Sequence, residues 1–402
     1  MMTDIKRKLW VGAVLMFSLV MPLSASAQDI RFTPRLGVTG EYNDNILFLR
    51  NDRTDDFILS LAPALELGYN TESLALNSLA GISFRRYLSE DDYDREDYYV
   101  YLNGTYRMTE KMTVNGRFNY IQDYAAESRI VDLAEPDVDF DELPVDPGIE
   151  TFFSERKYYR AWAGMQYRLT EISELGVKYR YLRNDYDLEE NNDYDRNVVD
   201  LTYFRALNNQ RDRIGPRLGY TYNDSDISEY DSYNLALAWH HLFTETLSLY
   251  TDIGVRYTEE SFKDSNVEDD DWGGTANIWL TKRGETRVLD LGFSHDIGTA
   301  SNGRAVNVSR LFCRLNQFIT ERLYFDFKGN FFVTNEDNYS NFDDVEIFLD
   351  VIPSLRYQMT EDHAVRLAYS YTIDYDRSLE DDRDRHRNRV WVMFEFGFPN
   401  TL

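Results

Sequence analysis

Residues 173–207 read SELGVKYRYLRNDYDLEENNDYDRNVVDLTYFRAL. Leu175, Val177, Tyr179 and Tyr181 alternate with Gly176, Lys178, Arg180 and Leu182. An acidic stretch follows, and Val199, Leu201 and Tyr203 then alternate with Asp200, Thr202 and Phe204. A period of two puts successive residues on opposite faces of a strand. The segment therefore predicts a β-hairpin with one apolar, aromatic face and one small, polar or charged face. In a soluble sheet the apolar face would need a second layer. The chain has no helix-length apolar periodicity to supply one, so lipid is the expected neighbour.

The first residues support export. Lys6, Arg7 and Lys8 precede an apolar stretch from Leu9 to Val20 and the small-residue run Ala25-Ser26-Ala27, the pattern of a cleavable signal peptide. A membrane anchor is the competing reading, but the stretch is shorter than the ~20 residues a spanning helix needs. The expected organisation is a signal peptide at 1–27 and one domain at 28–402. Export would run through the Sec pathway to the outer membrane of a Gram-negative bacterium. A mean hydropathy of −0.53 does not oppose this, because only every second residue of a barrel strand faces lipid. The chain has 30 Tyr and 24 Phe but only 9 Pro, a composition suited to many strands.

The formal charge of −27 is concentrated in the connections, and it excludes nucleic-acid binding by phosphate neutralisation. Cys313 is the single cysteine, so no internal disulfide is expected. It lies between Leu311 and Leu315 on an outward face and is expected to be a buried structural thiol.

Nine hairpins, hence about 18 strands, fit the mature chain. Their connections alternate in kind. Short ones repeat their wording: Met108-Thr109-Glu110-Lys111, Leu169-Thr170-Glu171, Phe243-Thr244-Glu245, Ile319-Thr320-Glu321 and Met359-Thr360-Glu361. Long ones are rich in Asp, Asn and Tyr, as at 43–56, 125–154, 224–231, 297–304 and 376–387. Short turns at one end and long loops at the other characterise an all-β, transmembrane, antiparallel up-and-down barrel. A β-propeller would share the repeat length but would not sort its loops in this way. Outward sets such as Phe57, Leu59, Leu61, Leu65 and Leu67, or Tyr233, Leu235, Leu237 and Trp239, carry the apolar face. Tyr42, Tyr69, Tyr98, Tyr106, Tyr120, Tyr257 and Trp272 gather near strand ends, where interfacial girdles form. The last strand alternates Val390, Val392, Phe394, Phe396 and Phe398. It resembles the C-terminal signal that outer-membrane proteins present to the barrel-assembly machinery, except that Pro399 to Leu402 follow it.

The stretch Pro34–Tyr69 contains Glu41-Tyr42-Asn43-Asp44-Asn45-Ile46, an acidic loop, and then Phe57 with Leu61-Ala62-Pro63. It resembles the "putative β-barrel porin 2" family, as do the loop edges at Asn184–Asp187, Asp195–Asn197 and Arg387–Arg389. The resemblance implies an outer-membrane barrel of a kind often encoded with exopolysaccharide export systems. It brings no catalytic residues.

Two candidate sites follow. The inward positions hold a basic ladder of Arg85, Arg117, Lys178, Arg180, Arg217, Arg256, Arg310, Arg314, Lys328, Arg356 and Arg366. Fewer acids face it: Glu66, Asp200, Asp252, Asp290, Asp326, Glu346, Asp350 and Glu395. Either these groups pair across the interior and keep it wet, or the excess cations bias passage towards anions, as charged rings do in pores. Inward Tyr99, Tyr101, Tyr250, Tyr324 and Trp279 either stack on sugars or pack. The third external loop carries Asp132, Glu135, Asp137, Asp139, Asp141 and Glu142 and is either an inward-folded constriction or an exposed flap.

Acidic external loops offer oxygen ligands for divalent ions or contacts with lipopolysaccharide, but none has EF-hand spacing. No HExxH, GxSxG, Walker A or cysteine metal motif occurs. His240 and Ser232 lie about 27 Å apart along a strand. No enzyme activity, cofactor or metal is expected. The expected partners are outer-membrane lipid, the assembly machinery and a polysaccharide or small anionic solute. The leading expectation is a passive conduit for exopolysaccharide export. A diffusion porin for small anionic solutes and a plugged structural or adhesive barrel are the alternatives.

Overall fold

The computed structural model describes residues 29–124, 154–188, 192–208, 211–263, 268–299, 303–335, 345–376 and 383–401. The expected signal peptide and most of the third external loop, with its candidate constriction acids, lie outside the described residues.

Alternating segments form strands because each can present an apolar row to one side and a polar row to the other. Eighteen do so in chain order: β1 (Asp29–Asn43), β2 (Asp56–Asn70), β3 (Leu74–Tyr87), β4 (Arg95–Thr109), β5 (Met112–Tyr124) and β6 (Glu155–Thr170). Then follow β7 (Ser173–Tyr186), β8 (Tyr194–Ala206), β9 (Asp212–Ser225), β10 (Ser228–Leu242), β11 (Leu247–Phe262) and β12 (Glu268–Arg283). The last six are β13 (Arg287–Thr299), β14 (Ala305–Phe318), β15 (Leu323–Asn335), β16 (Val345–Gln358), β17 (His363–Asp376) and β18 (Arg383–Gly397). Each pairs antiparallel with its chain neighbour, and β1 pairs with β18 from Arg35↔Gly397 to Asn43↔Arg389. The sheet is a closed, up-and-down, 18-stranded barrel. A two-residue strand, β19 (Asn400–Thr401), resumes pairing with β1 beyond Pro399, so these two residues extend the closing edge.

The outer surface is apolar. Phe57, Leu237 and Ile253 are 60%, 58% and 61% exposed, which only lipid makes tolerable over so wide a band. Tyr220, Tyr233, Tyr257 and Trp272 face one another across β9 to β12 and form one arc of a girdle. Ring centroids lie 5.4 Å apart for Tyr220–Tyr233 and 5.0 Å for Tyr257–Trp272. Cys313 is half-buried on this surface, opposite Leu291 and Gly329. The buried thiol expected there is corrected, because lipid rather than protein is its cover.

The repeated Thr of the short turns has a structural reason. Thr71, Thr244, Thr320 and Thr360 each accept, through Oγ1, the backbone N–H three residues on, at 3.0–3.1 Å. The hydroxyl closes the turn. The alternation of short and long connections holds with one correction. The expected loop 224–231 is the two-residue turn Asp226-Ile227, because Ser225 Oγ accepts from Ser228 N (3.0 Å) and lets both strands run on.

Closure is reinforced where the long loops begin. Asp44 accepts from the backbone N–H and side-chain amide of Asn388 (2.6 and 2.7 Å), tying the end of β1 to β18. Asn45 donates to Leu49 O (2.7 Å) and His386 O (3.0 Å), and accepts from Leu49 N (2.8 Å). Ile46 is fully buried with Ile58 and Tyr87. The Asn-Asp-Asn-Ile motif is thus a clasp between the first and last strands.

Two outcomes test this architecture. Ile253→Arg is expected to cost about 2–4 kcal/mol in vesicle refolding, the midplane cost of a lipid-facing arginine. Asp44→Ala is expected to cost about 1–3 kcal/mol, because it leaves the Asn388 donors without their acceptor. Faster hydrogen exchange confined to the β1–β18 edge would accompany that loss.

Candidate functional site

The described lumen is narrowed by the β13–β14 hairpin. In the upper part of that hairpin the side chains that should face lipid instead meet lumen-facing groups of β8 to β11. Arg196 Nη2 donates to Ile297 O (2.8 Å), and Thr299 Oγ1 donates to Asn223 Oδ1 (2.8 Å) and meets Tyr230 OH (3.2 Å). Ser225 Oγ donates to Gly303 O (2.7 Å), and Ala305 N donates to Glu260 Oε1 (3.1 Å). The opposite face, Val306 and Val308, packs on Phe332, which stacks on Phe348 at 4.7 Å. The described upper part of the hairpin, residues 297–299 and 303–308, is therefore a tongue held inside the barrel. Gly303 permits the turn: its φ is +82°, and a Cβ there would lie 2.8 Å from Ser225 Oγ.

Beside the tongue lies a cavity of about 210 Å³. Its charged lining is Arg160, Arg180, Arg196, Arg217 and Arg310 against Asp200 and Asp296, and Trp279, Phe312 and Ser232 are also at its wall. The Trp279 and Phe312 rings are tilted against each other with centroids 4.5 Å apart, and Gly292 makes room for the Phe312 ring, which a Cβ would strike at 1.7 Å.

The arginines are held by a chain of carboxylates. Arg180 Nη2 donates to Asp200 Oδ2 (2.6 Å), Arg217 Nε to Asp200 Oδ1 (3.1 Å) and Arg217 Nη1 to Asp252 Oδ1 (2.9 Å). Asn277 Nδ2 and Tyr250 OH also donate to Asp252, both at 3.0 Å. Planar guanidinium groups fixed in this way keep their remaining N–H donors aimed in set directions.

All eleven ladder residues lie on inward strand positions, but they do not form one ladder. Arg180, Arg217 and Arg310 line the cavity. Lys178 lies beside this belt, over the Trp162 ring at 4.8 Å, and Arg117 is across the ladder from Trp162. Arg256 reaches the tongue. Arg85 joins Glu41 (3.5 Å), which also meets Arg389 (3.6 Å), below the first-loop clasp. Arg314 faces Asp290 and Lys328 across two ladders. Arg356 and Arg366 share Glu395 at 3.0 and 3.5 Å. Of the five inward aromatics, Trp279 alone lines the cavity. Tyr99 and Tyr101 pack with Ile121 and Tyr158, and Tyr324 packs on Phe318.

The ladder omitted several inward cations. Arg196 falls at a loop edge, Arg95, Arg385 and Arg387 fall in segments whose wording reads as connection, and Arg156 lies inside the expected sixth strand but outside the ladder. Arg156 forks onto Asp123 (3.1 and 3.2 Å), and Arg385 meets Asp374 (2.7 Å). Among the external acids, Asp94 accepts from Tyr87 N (2.8 Å) and pairs with Arg86. The backbone donor is the chief reason its carboxyl stays below the usual range. Among the described residues no group of three or more His, Cys, Asp and Glu is arranged to hold a metal.

Solved structures that this chain resembles include the outer membrane protein opdK from Pseudomonas aeruginosa, with 11% identity, TM-score 0.43, and 92% of this chain and 99% of that chain covered. Pseudomonas aeruginosa OccK2 (OpdF) gives 10% identity, TM-score 0.45, and 94% and 100% coverage. Acinetobacter baumannii OccAB3 gives 13% identity, TM-score 0.41, and 93% and 100% coverage. No curated protein matches in sequence. The chain is a porin-like β-barrel of the outer membrane, and its residues 31–138, which include the β1–β18 clasp motif, match the family model "Putative beta-barrel porin 2".

Proposed function

We propose that the barrel is a passive channel selective for small anionic solutes, with the cavity beside the tongue as its binding station. The observation that carries this is the lining of that cavity: five arginines against two carboxylates. A carboxylate or sulfate entering there meets a local excess of positive charge and oriented donors. Trp279 and Phe312 give it an apolar wall to lie against. The two weighed roles of the lumenal cations are compatible in this arrangement, since pairing positions them and the excess selects.

The polysaccharide-export reading is less well supported. A polymer needs a continuous bore, and the tongue occupies lumen on the side of β8 to β11. The small-solute reading uses the tongue rather than having to move it.

In planar bilayers under a salt gradient, the native barrel is expected to show a reversal potential of the sign that anion selectivity requires. Arg217→Ala combined with Arg310→Ala is expected to move it towards zero. A non-conducting barrel, or an unchanged potential in the double variant, would overturn the proposal. Gly303→Val forces a β-branched residue into a positive φ, a strain of about 1–3 kcal/mol. It is expected to loosen the tongue, raising single-channel conductance while weakening anion preference. Unaltered conductance in the folded variant would deny the tongue a constricting role.

A further inference from the structure

Among the described residues, the longest interruption of the barrel wall lies beside β12. β11 and β12 pair from Leu247↔Lys282 up to Ser261↔Glu268, whereas β12 and β13 pair only from Arg283↔Val288 up to Ala276↔His295. Among the described residues, no strand pairs with the far edge of residues 268–275. Ladders also skip two residues beside Pro63, Pro216 and Pro353, but each resumes beyond the skip. The gap beside β12 does not resume, because the tongue has carried the top of β13 into the lumen.

This slot lies at the lipid boundary. Trp272, 70% exposed, belongs to the girdle. Ala276, at the foot of the slot, is four residues below it, about 13 Å along the strand. The opening therefore extends from the interface into the outer half of the ~30 Å hydrocarbon layer. Gly274 faces lipid on its rim, with no atom within 4 Å of where a Cβ would stand.

The groups around the slot are amphiphilic. At its foot, on the lipid face, His295 Nδ1 and Ser309 Oγ lie 2.8 Å apart, a polar pair beside Phe293 and Leu311. On the lumen side, Arg256 passes beneath Gly273, where a Cβ would lie 2.5 Å from its Nη2. Its guanidinium donates to Asn307 Oδ1 (2.5 Å) and approaches Asp296 (3.7 Å) and Asp271 (4.0 Å). Polar groups at membrane depth are expensive and mark paths for polar cargo.

We infer that the slot is a lateral portal through which a single-tailed anionic amphiphile passes between the outer leaflet and the lumenal cavity. The His295–Ser309 pair and Arg256 receive the anionic head in turn, and Gly274 leaves space for the tail. The slot is a missing ladder rather than a missing strand, so it admits one narrow chain and not a two-tailed lipid. Inside, Arg310 and the Trp279–Phe312 wall accept head and tail. The inference rests on the preceding reading only in taking this cavity as the destination.

The test uses the full mature chain folded in phosphatidylcholine vesicles with a photoreactive decyl sulfate whose diazirine lies in the tail. Peptide mass spectrometry is expected to find label on residues of the cavity wall, Trp279 and Phe312. G274W fills the rim and is expected to lower that labelling by about tenfold, equivalent to 1.4 kcal/mol. H295L, which removes the threshold pair, is expected to lower it in the same direction. Heat-modifiable gel migration establishes that each variant has folded. Chloride conductance, carried through the lumen, is expected to be unchanged in G274W. Cavity labelling that persists in both folded variants, or is missing from the native barrel, would overturn the portal. Because labelling does not require conduction, a barrel that fails to conduct ions leaves this result readable, and failure of the channel proposal is told apart from failure of the portal.

Discussion

In hydrocarbon an amide without a partner costs several kcal/mol, and this constraint governs the whole molecule. It is met by pairing every strand with its chain neighbour and then joining β1 to β18. The join is the demanding step, since it brings together segments about 350 residues apart in sequence. Side chains assist it. Asp44, Asn45 and Asn388 add their own hydrogen bonds to the ladder, and Arg387 lies over the Phe48 ring at 4.8 Å. The motif that carries the family resemblance is thus a structural one.

With the wall closed, the interior is free to carry charge. Carboxylates and guanidinium groups that would be too costly in a dry core remain affordable beside lumenal water. The chain Arg180–Asp200–Arg217–Asp252 is therefore better understood as positioning than as stabilisation. Each carboxylate spans two strands and fixes a guanidinium relative to its neighbour, so the pattern of donors facing the cavity is built into the register of β7 to β11.

Much of this was legible from alternation alone. Period two predicted the hairpins and both faces, and the Thr-Glu wording marked the short turns, because those rules are local. The tongue was not legible, since residues 297–304 have the length and composition of an ordinary external loop. A signal was nonetheless present. The lipid-register residues of its upper half are His295, Ile297, Thr299, Ala305, Asn307 and Ser309, with no girdle aromatic among them. Such a set suits contact with polar lumenal groups and poorly suits lipid. The pairing of particular lumenal charges was beyond reach for another reason: it depends on cross-strand register, which face patterning does not specify. Arg196, Arg385 and Arg387 were lost because strands extend past the membrane into segments whose acidic, Tyr-rich wording reads as loop.

The tongue and the interrupted ladder have a single origin. The top of β13 cannot both pair with β12 and bond to Asn223, Tyr230 and Arg196 across the lumen. The contacts it makes on β8 to β11 replace, for the tongue, the ladder it forgoes. They do nothing for β12, whose far edge from Glu268 to Thr275 is left to water, headgroups and its own acidic side chains. That division is tolerable because the unpaired edge crosses only the outer part of the hydrocarbon and reaches the girdle at Trp272, four residues above Ala276. Were the break to begin one or two pairs lower, more unpaired amides would sit at hydrocarbon depth. The depth of the break is therefore limited by the membrane, and Arg256, drawn across beneath Gly273, stands above the foot at Ala276, on the lumen side of the opening.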